Sequence, residues 1–332
     1  MGKFGPPSKW LKDQWEKIPL KTRDLKGRTV LVVGGNTGLG FEASKHLAAM
    51  KPQKLIVTSR SPKGQAAVDS IKLATGCETV ELGVVDLTHF GSIINFVNEL
   101  KGKGINRLDC VLMNAGMMTP KFQLTKDGWE TTLQTNYLGT ALLTLRLIPF
   151  LTETPHEDPF PRLVFVGSEV HYFVSRMKEE DILSSLNDRK KAEMSSRYYV
   201  TKTLNLFFAR SLAEKIPPHK MTVTSINPGF CRSGLIRNSG IFKMVGLKIA
   251  TALLSRSTEM GARCIIHGML IAKDEDVEGK YLNNCRVEEE SDFVISENGA
   301  KIQQRAWREL CEVLFKVDPE AQAVVDQYLV SD

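Results

Sequence analysis

No run of about 18 uninterrupted apolar residues occurs in this sequence of 332 residues, so no membrane-crossing helix is predicted. The first 30 residues are too polar for a secretory signal, and a cytoplasmic location is expected. The six cysteines (Cys77, Cys110, Cys231, Cys264, Cys285 and Cys311) contain no C-x-x-C pair, and reduced thiols are expected. The six histidines form no H-E-x-x-H motif and no cluster with cysteine, so no metal site is expected. No Pro/Gly/Ser-rich linker divides the chain. The body also has little net charge. The overall balance is +6, but residues 1–30 hold eight basic side chains against Asp13, Glu16 and Asp24. Nucleic-acid binding needs a basic stripe on the folded body, and this body lacks one.

What is present is an alternation. β-branched runs at 29–33, 55–58, 80–85, 109–113, 163–167, 222–226 and 281–282 are separated by helical stretches at 41–50, 65–73, 92–100, 128–150 and 198–215. Apolar strands spaced by helices read as βαβ units of a doubly wound α/β fold, one parallel sheet with helices on both faces. Residues 1–27 are a basic N-terminal extension, residues 28–332 one dinucleotide-binding domain, and helices close the chain from about 299 to 329. Two segments break the pattern: a charged, solvated excursion at 170–196, and an apolar stretch at 235–254. Lys243 and Lys248 make the latter a poor membrane span, and a lid or substrate segment is expected over about 230–258.

The first strand runs into V-G-G-N-T-G-L-G, residues 33–40, and then a helix. Unpaired N–H groups at a helix N-terminus bind phosphate oxygens, and Gly34, Gly38 and Gly40 let the backbone approach a pyrophosphate. A site for NAD would place Asp or Glu after the second strand; here stand Thr58, Ser59 and Arg60, with Lys63 following. A guanidinium suits the 2′-phosphate of NADP, so NADP(H) is expected ahead of NAD(H). Of the six tyrosines only Tyr198 has a lysine four residues on, Lys202, which places both side chains on one helical face.

These features together resemble the short-chain dehydrogenase/reductase family, in order along residues 27–235. The glycine turn is similar to T-G-x-x-x-G-x-G with Val33 in place of threonine, and Thr37 and Leu39 fall within it. Asp86 and Leu87 match the pair bordering the adenine. Asn114, Ala115 and Gly116 match N-A-G beside the nicotinamide ribose. Asn136, Ser168, Tyr198 and Lys202 match the catalytic set, with Thr201 where serine is commoner. Pro228, Gly229 and Ser233 match the loop holding the carboxamide, with Cys231 inside it. The resemblance implies a Rossmann-like fold, a nicotinamide cofactor and carbonyl–alcohol interconversion. Within the family, G-N-T-G-L-G-F-E-A-S-K-H-L-A, V-G-S-E-V-H and the 30-position gap from Ser168 to Tyr198 look like the retinol-dehydrogenase-like and WW-domain-oxidoreductase-like branch. Fungal tailoring reductases of terpenoid and polyketide pathways look similar. Oligomers are common in the family, through the helices placed here at 128–150 and 198–215.

Reduction of a carbonyl requires a proton donor at the developing alkoxide. Tyr198 is the expected acid in reduction and base in oxidation, with Lys202 and the oxidised nicotinamide both lowering its pKa. Ser168 is expected to orient the substrate oxygen, and Asn136 to hold a water linking Lys202 to solvent. Met117, Met118, residues 170–172 and the 235–254 stretch would wall an apolar pocket, favouring a lipophilic alcohol or ketone. His171 reads either as a substrate contact or as a solvated or structural histidine. Two other readings compete: a non-catalytic NADP-sensing or partner-binding protein, and nucleotide-sugar chemistry, whose usual T-G-x-x-G-x-x-G is absent. The extension itself can form a helix over 8–20 with Leu11, Trp15 and Ile18 on one side. It reads as a strap packed on the domain or on a partner subunit, or as a peripheral membrane contact through Trp10 and Trp15.

Overall fold

Every predicted β-branched run forms a strand of one sheet. The computed structural model describes Gly5 and residues 7–153, 161–232, 254–270 and 277–330. In chain order the strands are β1 (Thr29–Val33), β2 (Lys54–Ser59), β3 (Val80–Val84), β4 (Cys110–Met113), β5 (Arg162–Val166), β6 (Thr222–Asn227) and β7 (Tyr281–Asn283). A short β8 (Arg286–Val287), absent from the sequence reading, adds antiparallel to β7. The spatial order is β3-β2-β1-β4-β5-β6-β7-β8, with β1 to β7 parallel. The order reverses between β1 and β4, and ligands of such sheets bind in the crevice at the carboxyl ends of the strands there. Val33 and Met113 therefore deliver the chain to the site.

Alternate side chains fill two cores. Leu31 and Val33 face a layer made by α4 (Phe90–Gly102), α6 (Gly139–Thr152), α8 (Arg197–Lys215) and α11 (Glu297–Val317). Val30 and Val32 face α2 (Gly38–Ala49), α3 (Gln65–Thr75) and α9 (Thr258–Leu270). Strands buried on both faces need apolar residues at every position, which is why they read as continuous runs. β3 departs from this: Glu81 and Val84 are exposed because it ends the sheet.

The helix expected over 128–150 is in fact three pieces. Glu130 accepts the N–H groups of Thr132 and Leu133, both at 2.9 Å, and caps α5 (Thr131–Leu133). A π turn over Gln134–Leu138 follows, and α6 continues the course. Inserted π turns occur often at functional sites; this one contains Asn136.

The excursion at 170–196 is not simply solvated. Its helix α7 (Ile182–Leu186) buries Ile182 and Leu183, and Glu309 on α11 accepts both of their N–H groups (3.1 and 2.9 Å). The charged residues around it mask this anchor in the sequence. Short α10 (Asp292–Ile295) precedes α11, and α12 (Pro319–Tyr328) closes the chain. Among the described residues no helix is long and apolar enough to cross a membrane. All six cysteines carry free thiols.

Candidate active site

The glycine turn is held by its neighbours. Thr58, at the end of β2, accepts the Gly34 N–H at its hydroxyl (3.0 Å) and the Gly35 N–H at its carbonyl (3.0 Å). Val33 contributes its carbonyl, which accepts the N–H groups of Asn114 (3.2 Å) and Ala115 (2.8 Å). Asn114 in turn donates from Nδ2 to the Gly34 carbonyl at 2.7 Å. This packing leaves no room at Gly40, where a Cβ would stand 2.3 Å from the Gly34 oxygen and 2.5 Å from Asn114 Nδ2. At Gly38, φ is +60° and a Cβ would meet nothing within 4 Å. Thr37 precedes α2 in an extended conformation and makes no side-chain cap, so the first N–H groups of α2 lie beside open space. That arrangement fits a pyrophosphate. Leu39 is turned to the packing side, where its Cδ2 would touch a Cβ at Gly261 (2.7 Å).

Arg60 is exposed immediately beyond β2, beside half-buried Ser61. Asp86 accepts the N–H and hydroxyl of Thr88 (2.9 and 2.7 Å), while its own N–H donates to Ser92 (3.0 Å). The carboxylate thus shapes the turn after β3. The Leu87 carbonyl packs against Gly139, where a Cβ would come within 2.3 Å of it.

The catalytic-type residues converge at the carboxyl ends of β4 and β5. Asn136 accepts the Met117 N–H (2.8 Å) and donates to the Met117 carbonyl (2.9 Å) and the Thr201 hydroxyl (3.1 Å). Thr201 donates onward to the Tyr198 carbonyl at 2.9 Å. The Asn136 side chain thus clamps the loop after Gly116 to α8. A Cβ at Gly116 would lie 3.4 Å from Asn136 Oδ1 and 3.7 Å from Lys202 Nζ. Lys202 is buried and donates to the Val166 carbonyl at 2.8 Å, with Nζ 5.8 Å from the centre of the Tyr198 ring. Burial alone lowers its pKa to about 8.

The Ser168 hydroxyl lies beside that of Tyr198, close enough to act on it as a hydrogen-bond partner. Burial pushes the phenol above its ordinary value, and the Ser168 bond only partly opposes this. In the polypeptide without cofactor, desolvation is the larger influence on Tyr198. Ser168 precedes a 3-10 turn (Glu169–Phe173), and His171 braces it by donating from Nδ1 to the Ser168 carbonyl at 2.8 Å. His171 is buried against Tyr281 with its pKa lowered to about 4, chiefly by burial, so it is a neutral structural histidine. Met117, Met118 and Tyr172 are half-buried, and Phe173 is 60% exposed.

At the end of β6, Gly229 has φ +79° and donates its N–H to Asn227 Oδ1 at 3.2 Å. Cys231 is buried against Gly261, and its thiol donates to the Pro228 carbonyl at 3.4 Å, so its side chain belongs to the packing. Ser233 and residues 235–253 lie outside the described residues.

The N-terminal segment packs on the domain as a strap, one of the readings the sequence offered, and its contacts beside the site were not foreseen. α1 (Pro7–Trp15) is shorter than predicted and presents Trp10 and Gln14 inward, rather than Leu11 and Trp15. Trp10 Nε1 donates to both Glu169 oxygens at 3.1 Å. Gln14, 5% exposed, accepts the Phe230 N–H (3.0 Å) and donates to the carbonyls of Phe230 (2.9 Å) and Leu254 (3.0 Å). Arg256 ties the carbonyls of Asp13, Gln14 and Pro228 to Asn284. Trp15 stays 65% exposed.

Residues 28–175 match the family described as short chain dehydrogenase. The short-chain dehydrogenase anuD of Penicillium roqueforti is 34% identical over 91% of this chain and 81% of its own. A short chain dehydrogenase of Gibberella zeae is 33% identical over 94% and 92%. Among solved structures, a protein of Mycobacterium paratuberculosis superposes with a TM-score of 0.65 at 23% identity, covering 90% of this chain and 96% of that one. A short chain dehydrogenase of Shigella flexneri, solved with NADP, gives 0.58 at 20% identity over 80% and 100%. With its glycine turn, its Ser168–Tyr198 pair and Lys202 behind them, this chain belongs to the short-chain dehydrogenase/reductase family of nicotinamide-dependent oxidoreductases.

Proposed function

We propose that this enzyme interconverts a carbonyl and an alcohol on a lipophilic small molecule, a secondary metabolite such as a terpenoid or polyketide or a retinoid- or steroid-like compound, with NADP(H). The observation that carries the reading is the hydroxyl pair of Ser168 and Tyr198 at the mouth of the β4–β5 crevice. When bound, the nicotinamide supplies or accepts the hydride. Ser168 would orient the substrate oxygen, and Tyr198, which keeps its proton in this buried setting, would donate it to that oxygen in reduction. Lys202, with one hydrogen on the Val166 carbonyl, has others for a ribose and for stabilising the tyrosinate left behind.

The choice of NADP rests on Arg60, exposed where a ribose-binding acid would stand in an NAD site. The choice of a lipophilic substrate rests on Met117, Met118, Tyr172 and Phe173 around the opening. The fungal short-chain dehydrogenases among the relatives support a tailoring role. Cofactor oxidation over a panel of apolar ketones, run with NADPH and NADH, tests all three. NADPH is expected to give the lower KM, and Arg60→Asp to raise that KM by about tenfold or more. An Arg60→Asp enzyme with unchanged NADPH affinity would remove the cofactor assignment. Comparison of metabolites with and without the gene would then identify the accumulating carbonyl.

A further inference from the structure

We infer that the N-terminal helix is a positioning element of the active site: Gln14 and Trp10 are positioning residues for the loop and turn that receive the nicotinamide half of the cofactor and the substrate. The inference rests on reading Ser168 and Pro228–Gly229 as that end of the site.

Both inward contacts of α1 land beside site residues, from a segment that precedes the dinucleotide-binding domain. Gln14 is bonded to both the N–H and the carbonyl of Phe230, directly after Gly229. Two antiparallel bonds to one residue fix that backbone much as a strand partner would. The approach depends on Gly229, where a Cβ would stand 2.7 Å from Gln14 Oε1 and 2.8 Å from Arg256 Nη1. Trp10 grips Glu169, the residue directly after Ser168. The two arms meet at Asn227, which accepts the Gly229 N–H at 3.2 Å and lies close enough to Glu169 to favour its carboxylate. Strap, serine turn and loop are thus one polar network, largely withdrawn from water, where removing one partner strands the others.

The glycine turn and Thr58 contact neither Trp10 nor Gln14 through any hydrogen bond among the described residues. Loss of the strap contacts should therefore weaken the nicotinamide end selectively.

The test uses the full chain and calorimetric titration with whichever of NADPH or NADH the wild type binds more tightly, alongside the matching adenine half (2′,5′-ADP or ADP-ribose). In Gln14→Ala the dinucleotide is expected to weaken about fivefold or more while the adenine half stays within about twofold. Trp10→Phe, which removes the N–H and reduces the indole to a single ring, should shift the same ratio in the same direction and serves if Gln14→Ala does not fold. Equal weakening of both ligands, or no change in a folded variant, overturns the inference. Lys202→Ala separates this from the underlying reading. If it leaves the ratio at the wild-type value while Gln14→Ala changes it, the assignment of Lys202 fails and the strap's role stands.

Discussion

The hydroxyl of Thr58 accepts the N–H of Gly34 at 3.0 Å, across the gap between β2 and the glycine turn. Most members of the family have a threonine where this chain has Val33, so one loop-holding hydroxyl is missing from the first strand. The neighbouring strand supplies another. Thr58 is 1% exposed, so the bond forms away from water.

Thr58→Val should leave the Gly34 N–H without a partner. An unsatisfied buried donor costs about 1–3 kcal/mol. A folded Thr58→Val protein is expected to bind the dinucleotide about tenfold more weakly, read by calorimetric titration. Unchanged affinity would show that the backbone bonds to Val33 and Thr58 suffice.

Glu130 and Arg197 form a buried pair 3.6 Å apart, joining the helix that carries Asn136 to the one that carries Tyr198. Removing one member of a buried pair leaves the other uncompensated, at about 3–5 kcal/mol. Arg197→Ala is expected to lower the urea midpoint strongly. Exposed Lys54–Glu81, broken by Lys54→Ala, should change it little.

The buried Lys202 makes stability depend on pH in the alkaline range. Its pKa is about 8 in the folded chain against an ordinary 10.5. Between those values the unfolded chain holds the extra proton, so the contribution of this residue to stability rises with pH through that window. Urea unfolding of the cofactor-free protein from pH 7.5 upward, compared with Lys202→Met, should show a steeper rise in the wild type. Parallel curves would mean that Lys202 is not desolvated.

Gly40 and Gly38 should respond differently to alanine. At Gly40 the added methyl meets the backbone of the turn at 2.3 Å, and Gly40→Ala is expected to lose both dinucleotide binding and thermal stability. At Gly38 the methyl meets no protein atom, and the cost to the fold is the positive φ, about 1 kcal/mol. Thermal melting of the two apo variants distinguishes them.

The seven parallel strands were legible because a sheet covered on both faces demands uninterrupted apolar runs, as Val30–Val33 show. The motif residues were legible because backbone approach and proton transfer restrict residue type at Gly40, Tyr198 and Lys202. β8 was not, being two exposed residues after a hairpin turn at Asn284 and Cys285. The π turn at Asn136 was hidden because the apolar pattern continues through it. The strap was partly legible: Ile18 packs into the core as the apolar side foretold, but Trp10 and Gln14 bind through polar contacts that no apolar pattern encodes, and Trp15 faces water. The raised tyrosine pKa depends on how completely α8 is covered, which no local spacing encodes.

The central claim is that Tyr198 moves the proton. Tyr198→Phe keeps the ring and removes only the hydroxyl, so cofactor affinity and turnover can be measured on one protein. Dinucleotide affinity is expected within about twofold of wild type, and turnover of the best panel ketone is expected to fall by at least about 10³-fold. Retained turnover in a protein that binds the dinucleotide normally would contradict it.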